Sequence, residues 1–248
     1  MTPSIPAYLA IFEAFMSPIV VAIAVALVWV GAARMGGSTA SRYATAGILS
    51  LVLLGWWAAA RHFGAANVYF AGGRTAPTLF LALVAPLLVA ILGVRTAPAV
   101  ARLLAASPLH WLVAAQVYRV AGIIFLVLLA DGHLPWQFAL PAGLGDIAMG
   151  LFAVVLAVNL ASRAPGAGRA VYGWSLFGIA DLVVAMTMGA TTSPGQIHLF
   201  ALDNPNLLVS SFPLVMIPTF AVPLALILHG LVLTRLPRLR EAREVPAT

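Results

Sequence analysis

Five polar side chains capable of binding or proton chemistry stand inside long apolar runs of this chain: Glu13, Gln116, Arg119, Asp146 and Asp181. Arg119 lies about eleven residues into the fourth apolar segment, roughly 16 Å from its start at 1.5 Å per residue. That depth is near the middle of a bilayer, where a guanidinium demands a counter-charge inside the bundle. Asp181, ten residues into the sixth segment from the same side, is at matching depth and is the expected partner. Gln116 and Gly122 fall one turn either side of Arg119 on one helical face, and Tyr118 is expected to point elsewhere. Asp146 shares a face with Gly150 four residues into the fifth segment, near the outer surface, with Glu13 at similar height on the first. Such a group can hold a polar or anionic solute or exchange a proton. It can equally be a buried pair locking segments 4 and 6, with Asp146 capping the fifth helix.

The histidines suggest a second chemistry. His110 and His229 both fall toward the inner leaflet and could be axial haem ligands. His62, His133 and His198 fall at the outer ends, where Asp131 or Asp146 could complete a zinc site. Neither set has ligand spacing along one helix, so no metal site is assigned and no cofactor is expected, with haem as the alternative. All 13 basic residues are arginine and cysteine is absent. Schiff-base, thiolate and iron–sulfur chemistry are therefore excluded. No phosphate loop, nucleophile elbow or metalloprotease helix occurs, so no enzymatic reaction is assigned and a non-enzymatic role is the leading expectation.

The elements that position these residues follow from composition. With 62% apolar and 8% charged residues, the chain cannot cover itself with polar surface, and its solvent must be largely lipid. Apolar segments run over about 10–33, 44–63, 76–94, 109–130, 142–161, 171–190 and 212–234, each near the ~20 residues that cross a bilayer. Only helices satisfy the backbone in runs of this kind, so the fold class is all-α, polytopic, with seven transmembrane helices in one domain, 1–234. A basic tail, 235–248, follows. Links rich in Gly, Pro and Ser separate the helices, and Ala97–Ala106 reads as an interfacial amphipathic turn.

Arg34, Arg42, Arg95, Arg102, Arg163, Arg169, Arg235, Arg238, Arg240 and Arg243 share one side; only Arg61 and Arg74 flank the other. The positive-inside rule makes the arginine-rich side cytoplasmic, giving an N-out, C-in protein. This also accounts for the net charge of +6 without nucleic acid. Trp29, Tyr43, Trp111, Tyr172 and Trp174 fit an inner aromatic belt, and Tyr8, Tyr69 and Trp136 an outer one. The first helix has no basic n-region and reads as retained. The long 6–7 link, Thr191–Ser211, is either a lid over Asp146 or a solvated loop. Arginine in place of lysine, with abundant Ala, Gly and Pro, suggests a high-GC bacterial genome and hence the plasma (inner) membrane.

An internal echo adds a suggestion about architecture. Glu13 and Asp146 each precede a Met by three residues and then a valine/alanine run. Phe70-Ala71 and Pro86-Leu87 likewise echo Phe200-Ala201 and Pro223-Leu224. This fits two parallel triplets joined by helix 4, a 3+1+3 arrangement that resembles, in topology, the small seven-helix sugar transporters; the resemblance implies a site at the repeat interface near the midplane. The expectation is a small carrier or solute-binding membrane protein, possible proton coupling included, acting on a polar or anionic solute. The alternatives are a haem- or metal-binding redox protein and a subunit or assembly factor with a partner protein or a second copy.

Overall fold

The computed structural model describes residues 4–244, with side chains to residue 236. Seven helices are long and apolar enough to cross a membrane: Ala7–Arg34, Thr39–Ala65, Thr78–Thr96, Leu109–Ala130, Trp136–Ala161, Ala167–Thr192 and Ile217–Leu236, here spans 1 to 7. The last helix continues to Glu244. The side chains of Arg238, Arg240 and Arg243, and all of 245–248, lie outside the described residues. The expected interfacial turn is a helix, Pro98–Ala106. A two-residue antiparallel hairpin pairs Phe70–Ala71 with Arg74–Thr75. Its turn is Gly72-Gly73, both at positive φ, the conformation that a two-residue hairpin requires.

Three helix starts differ from the sequence reading by five or six residues. Span 2 starts at Thr39, where the Ser38 side chain accepts from the Ser41 amide. Span 5 starts at Trp136, six residues before the expected 142, because Pro141 sits inside the helix instead of breaking it. Asp146 is therefore mid-helix and does not cap the helix start. Span 7 starts at Ile217, after a run of turns, and opens with a wide π turn, Ile217–Ala221. Pro223 has no N–H to give the Thr219 carbonyl, and that freed carbonyl accepts from Trp56 Nε1 at 3.0 Å.

Hydrogen bonds define two ends of the bundle. At the N-terminal face Tyr8 donates to Asp131 at 2.7 Å, and the Thr75 amide donates to the Pro194 carbonyl at 2.7 Å. At the opposite face Arg235 donates to the carbonyls of Ser107 and Ala105, and Arg42 to those of Ala32 and Ala33. We call this the arginine face. Large apolar side chains such as Phe15, Leu51 and Phe80 point outward, while Glu13, Gln116, Arg119 and His229 are buried. This inverts the distribution of a water-soluble domain. Trp29, Tyr43, Trp111, Trp136 and Tyr172 are exposed, as an aromatic belt requires, but Trp174 and Tyr69 are buried and belong to no belt.

Span 4 is the central element, packed by spans 1, 5 and 7. Span 5 approaches it most closely at Gly150, where an added Cβ would lie 2.6 Å from the Val120 amide nitrogen and 3.1 Å from the Val117 carbonyl. Small residues permit such backbone contact between membrane helices. Span 3 packs along span 7 instead of span 2, leaving an apolar groove of about 1270 Å³ among spans 2, 3 and 7. The 6–7 link is firmly tied: the Asn206 amide donates to the Thr192 carbonyl, and Asn206 Oδ1 accepts from Val209. Its tip exposes Ile197, Leu199, Phe200 and Leu202, so it presents an apolar surface where a solvated loop was the alternative.

The Gly150 contact gives a stability test. Gly150→Ala meets rigid backbone and is expected to cost about 1–3 kcal/mol. Gly173→Ala, on the next span but facing open space, should leave unfolding in detergent unchanged or slightly raise its midpoint.

Candidate functional site

The middle of span 4, Ala115–Gly122, is wound as a 3-10 helix. At three residues per turn, Gln116, Arg119 and Gly122 stack along one line and Ala115, Tyr118 and Ala121 along the next. The first line is the polar strip expected from sequence. Tyr118 lies beside it and points to span 7, donating to the Ala221 carbonyl at 2.9 Å.

Arg119 is 3% exposed and reaches three other spans. Its Nε donates to Asp146 Oδ1 of span 5 at 2.7 Å, and one terminal nitrogen to Asp181 Oδ2 of span 6 at 2.5 Å. The other terminal nitrogen lies 3.3 Å from His229 Nε2 of span 7. The expected Arg119–Asp181 contact is present, and Asp146, placed near the outer surface by the sequence reading, joins the same guanidinium. Glycines on neighbouring spans make room for each partner. An added Cβ on Gly122 would strike Asp146, one on Gly145 would strike Asp181, and one on Gly178 would strike His229. With both acids ionised the cluster holds one positive and two negative charges. A net charge is costly away from water, and a proton or a cation would balance it.

A second polar cluster lies nearer the N-terminal face. Glu13, 4% exposed, pairs with Arg61 of span 2 and accepts from Ser17 Oγ at 2.7 Å. Trp57 Nε1 donates to Ser17 Oγ at 3.0 Å, and the Arg61 guanidinium stands 5.3 Å over the Phe212 ring. A cavity of about 60 Å³, room for a few waters, runs between the clusters. Glu13 and Ser17 line one end and Arg119 and Asp146 the other, with Tyr118, Met16 and Phe220 among the walls. Glu13 and Asp146 thus face one cavity without sharing a height.

The remaining histidines are dispersed. His110 is nine residues before Arg119, beside Trp111 at 6.0 Å between rings, whereas His229 is committed to Arg119 and to the Trp174 ring at 4.8 Å. His62 sits edge-on to Phe63, and His133 and His198 lie in different links. Among the described residues no three His, Asp or Glu side chains gather as a metal-holding group. Sequence reasoning missed His229 as a partner of Arg119, and it missed Ser17, Trp57 and Arg61. Arg61 is four residues from the end of span 2 and Glu13 six from the start of span 1, so their matching depth was a usable signal.

Removing the guanidinium should strand two carboxylates. Arg119→Met is expected to destabilise the protein by about 3–5 kcal/mol. Adding Asp146→Asn and Asp181→Asn should recover a large part of that loss in the same unfolding assay. Equal stability of the single and triple variants would mean that the acids do not depend on Arg119.

No curated protein and no solved structure is similar enough to match, so the topological resemblance to seven-helix sugar transporters gains no structural counterpart. One family model does match, over residues 76–237. That stretch contains spans 3 to 7 and the whole Arg119 cluster; Glu13, Ser17, Trp57 and Arg61 precede it. The chain belongs to the family described as a domain of unknown function, DUF8737.

Proposed function

We propose that the protein is a multi-pass membrane carrier for a small polar solute, with the Arg119–Asp146–Asp181 cluster as its proton-linked site. The observation that carries this reading is one buried guanidinium shared by two carboxylates at the end of a cavity. With one acid protonated the cluster is neutral. Loss of that proton leaves a negative charge, which favours a cation or a solute rich in donors. Asp146 is the more exposed acid, 16% against 8% for Asp181, and it lines the cavity. It is the acid that a solute meets first. Each nitrogen of Arg119 already has one partner, so an anionic solute gains the guanidinium most directly by displacing a carboxyl that has taken up a proton. Solute binding and protonation are coupled by that exchange.

The arginine distribution supports an N-out, C-in orientation in a bacterial plasma membrane, with Glu13 and Arg61 at the outer entrance. The 3+1+3 repeat is part of the same proposal. The two acids that the echo aligns, Glu13 and Asp146, line one cavity, and each is paired with an arginine.

Proteoliposomes challenged with sugars, amino acids and small carboxylates, with and without an imposed pH gradient, test the reading. At least one solute should accumulate in response to the gradient. Arg119→Gln, Asp146→Asn and Asp181→Asn, in forms that remain folded, should each lower accumulation at least tenfold. Wild-type accumulation in all three variants would leave the cluster a structural lock.

A further inference from the structure

On the side of the Arg119 cluster away from Glu13, three buried polar atoms have no hydrogen-bond partner among the described residues: Gln116 Oε1, Ser175 Oγ and His229 Nδ1. Their residues are fully buried and come from spans 4, 6 and 7. Gln116 precedes Arg119 by one 3-10 turn toward the arginine face and reaches the Ala225 carbonyl of span 7 at 3.5 Å. His229 is one turn beyond Ala225. Ser175 is one turn before Gly178, whose missing side chain admits the His229 ring. Buried polar atoms without protein partners are where internal waters bind.

The donor inventory fixes the state of His229. A guanidinium can only donate, so His229 Nε2, facing Arg119, must accept, and the neutral ring carries its proton on Nδ1. Protonation of Nε2 would set two donors and two cations against each other. Contact with Arg119 and an imidazolium at His229 therefore exclude one another. Beside the ring stand the uncharged Trp174 and Gly178 of span 6, and Met149 Sδ of span 5 borders the same gap at Gly178. Asp146 and Asp181 hold the same guanidinium that contacts the ring.

We propose that Gln116, Ser175 and the Nδ1–H of His229 bind a water, and that His229 with this water is the proton exit from the Arg119 cluster toward the arginine face. The inference rests on the proton-linked reading of the cluster. When Arg119 leaves Nε2, the protonated carboxyl of Asp181 gives its proton to Nε2: the O–H bond breaks and the N–H bond forms. The imidazolium then passes its Nδ1 proton to the water, the N–H bond breaking as an O–H bond forms. The neutral ring tautomerises through the water from Nε2–H back to Nδ1–H before Arg119 returns. Transfer is blocked while Arg119 holds Nε2, which ties proton release to movement of the guanidinium.

The full chain in lipid bilayers, labelled with nitrogen-15 histidine, reports the tautomer by solid-state NMR, and the signal missing from His229→Gln identifies the residue. The expected result at neutral pH is an Nδ1-protonated neutral ring in contact with water. An Nε2-protonated ring, or an imidazolium, overturns the proposal. Infrared spectroscopy after a pH jump separates the two levels of argument. A carboxylic C=O band removed by Asp181→Asn supports the proton-linked reading, and its absence from the wild type removes that reading and this one with it. If the band is present, His229→Gln, in which Gln can still accept from Arg119, should slow its decay at least tenfold. Ser175→Ala should slow it several-fold. Unchanged decay in both variants overturns the exit role and leaves the proton-linked site standing.

Discussion

A guanidinium does not give up its charge at any pH the protein meets, so an arginine at the centre of an apolar bundle obliges the surrounding helices to bring acceptors to it. Arg119 draws one acceptor from each of three spans, and much of the local architecture follows. Spans 5 and 6 must come close enough for short Asp side chains to reach the guanidinium. That approach is possible because Gly122, Gly145 and Gly150 leave no side chains between the helices. The 3-10 winding of Ala115–Gly122 sets Gln116, Arg119 and Gly122 in one file, so a single face of span 4 carries the charge, an amide and the gap that receives Asp146.

Span 7 answers the same constraint through its backbone. Its carbonyls at Thr219, Ala221 and Ala225 accept from Trp56, Tyr118 and Gln116, three side-chain donors that reach into the apolar interior. Pro223 frees the first of these carbonyls by lacking an N–H. A helix opening that would weaken a soluble helix is here a docking strip for spans 2 and 4. It also brings Phe220 and Ile217 to the wall of the cavity between Glu13 and Asp146.

The seven spans were legible because hydropathy over twenty residues is a strong signal, and the Arg119–Asp181 contact was legible because counting residues from a common face gives depth. Asp146 was misplaced for a local reason: Pro141 and the glycines after it read as a helix start, and a six-residue error shifts depth by about 9 Å. The 3-10 winding has no signature in composition and was not foreseen. His229 was grouped with His110 by leaflet, when the better question was which acceptors a buried arginine lacks. The Glu13–Arg61 pair follows from the same residue count that pairs Arg119 with Asp181, whereas charge counting alone makes Arg61 a flanking residue.

The excess acid is a feature that the proposed site uses and a simple lock does not need. To hold two helices together one carboxylate per guanidinium suffices, and an apolar contact of the same volume is often as stable. A second carboxylate adds its own desolvation cost and leaves the group unbalanced unless a proton or cation is present. His229 adds a partner that can accept from Arg119 only while its Nε2 is bare. An arrangement built for rigidity would have neither feature. The proposed function makes the charge state of the acids and the position of the guanidinium depend on each other, and a few waters' worth of space connects Asp146 to Glu13. In the proposed function protonation of an acid moves Arg119, a side chain that touches spans 5, 6 and 7 at once.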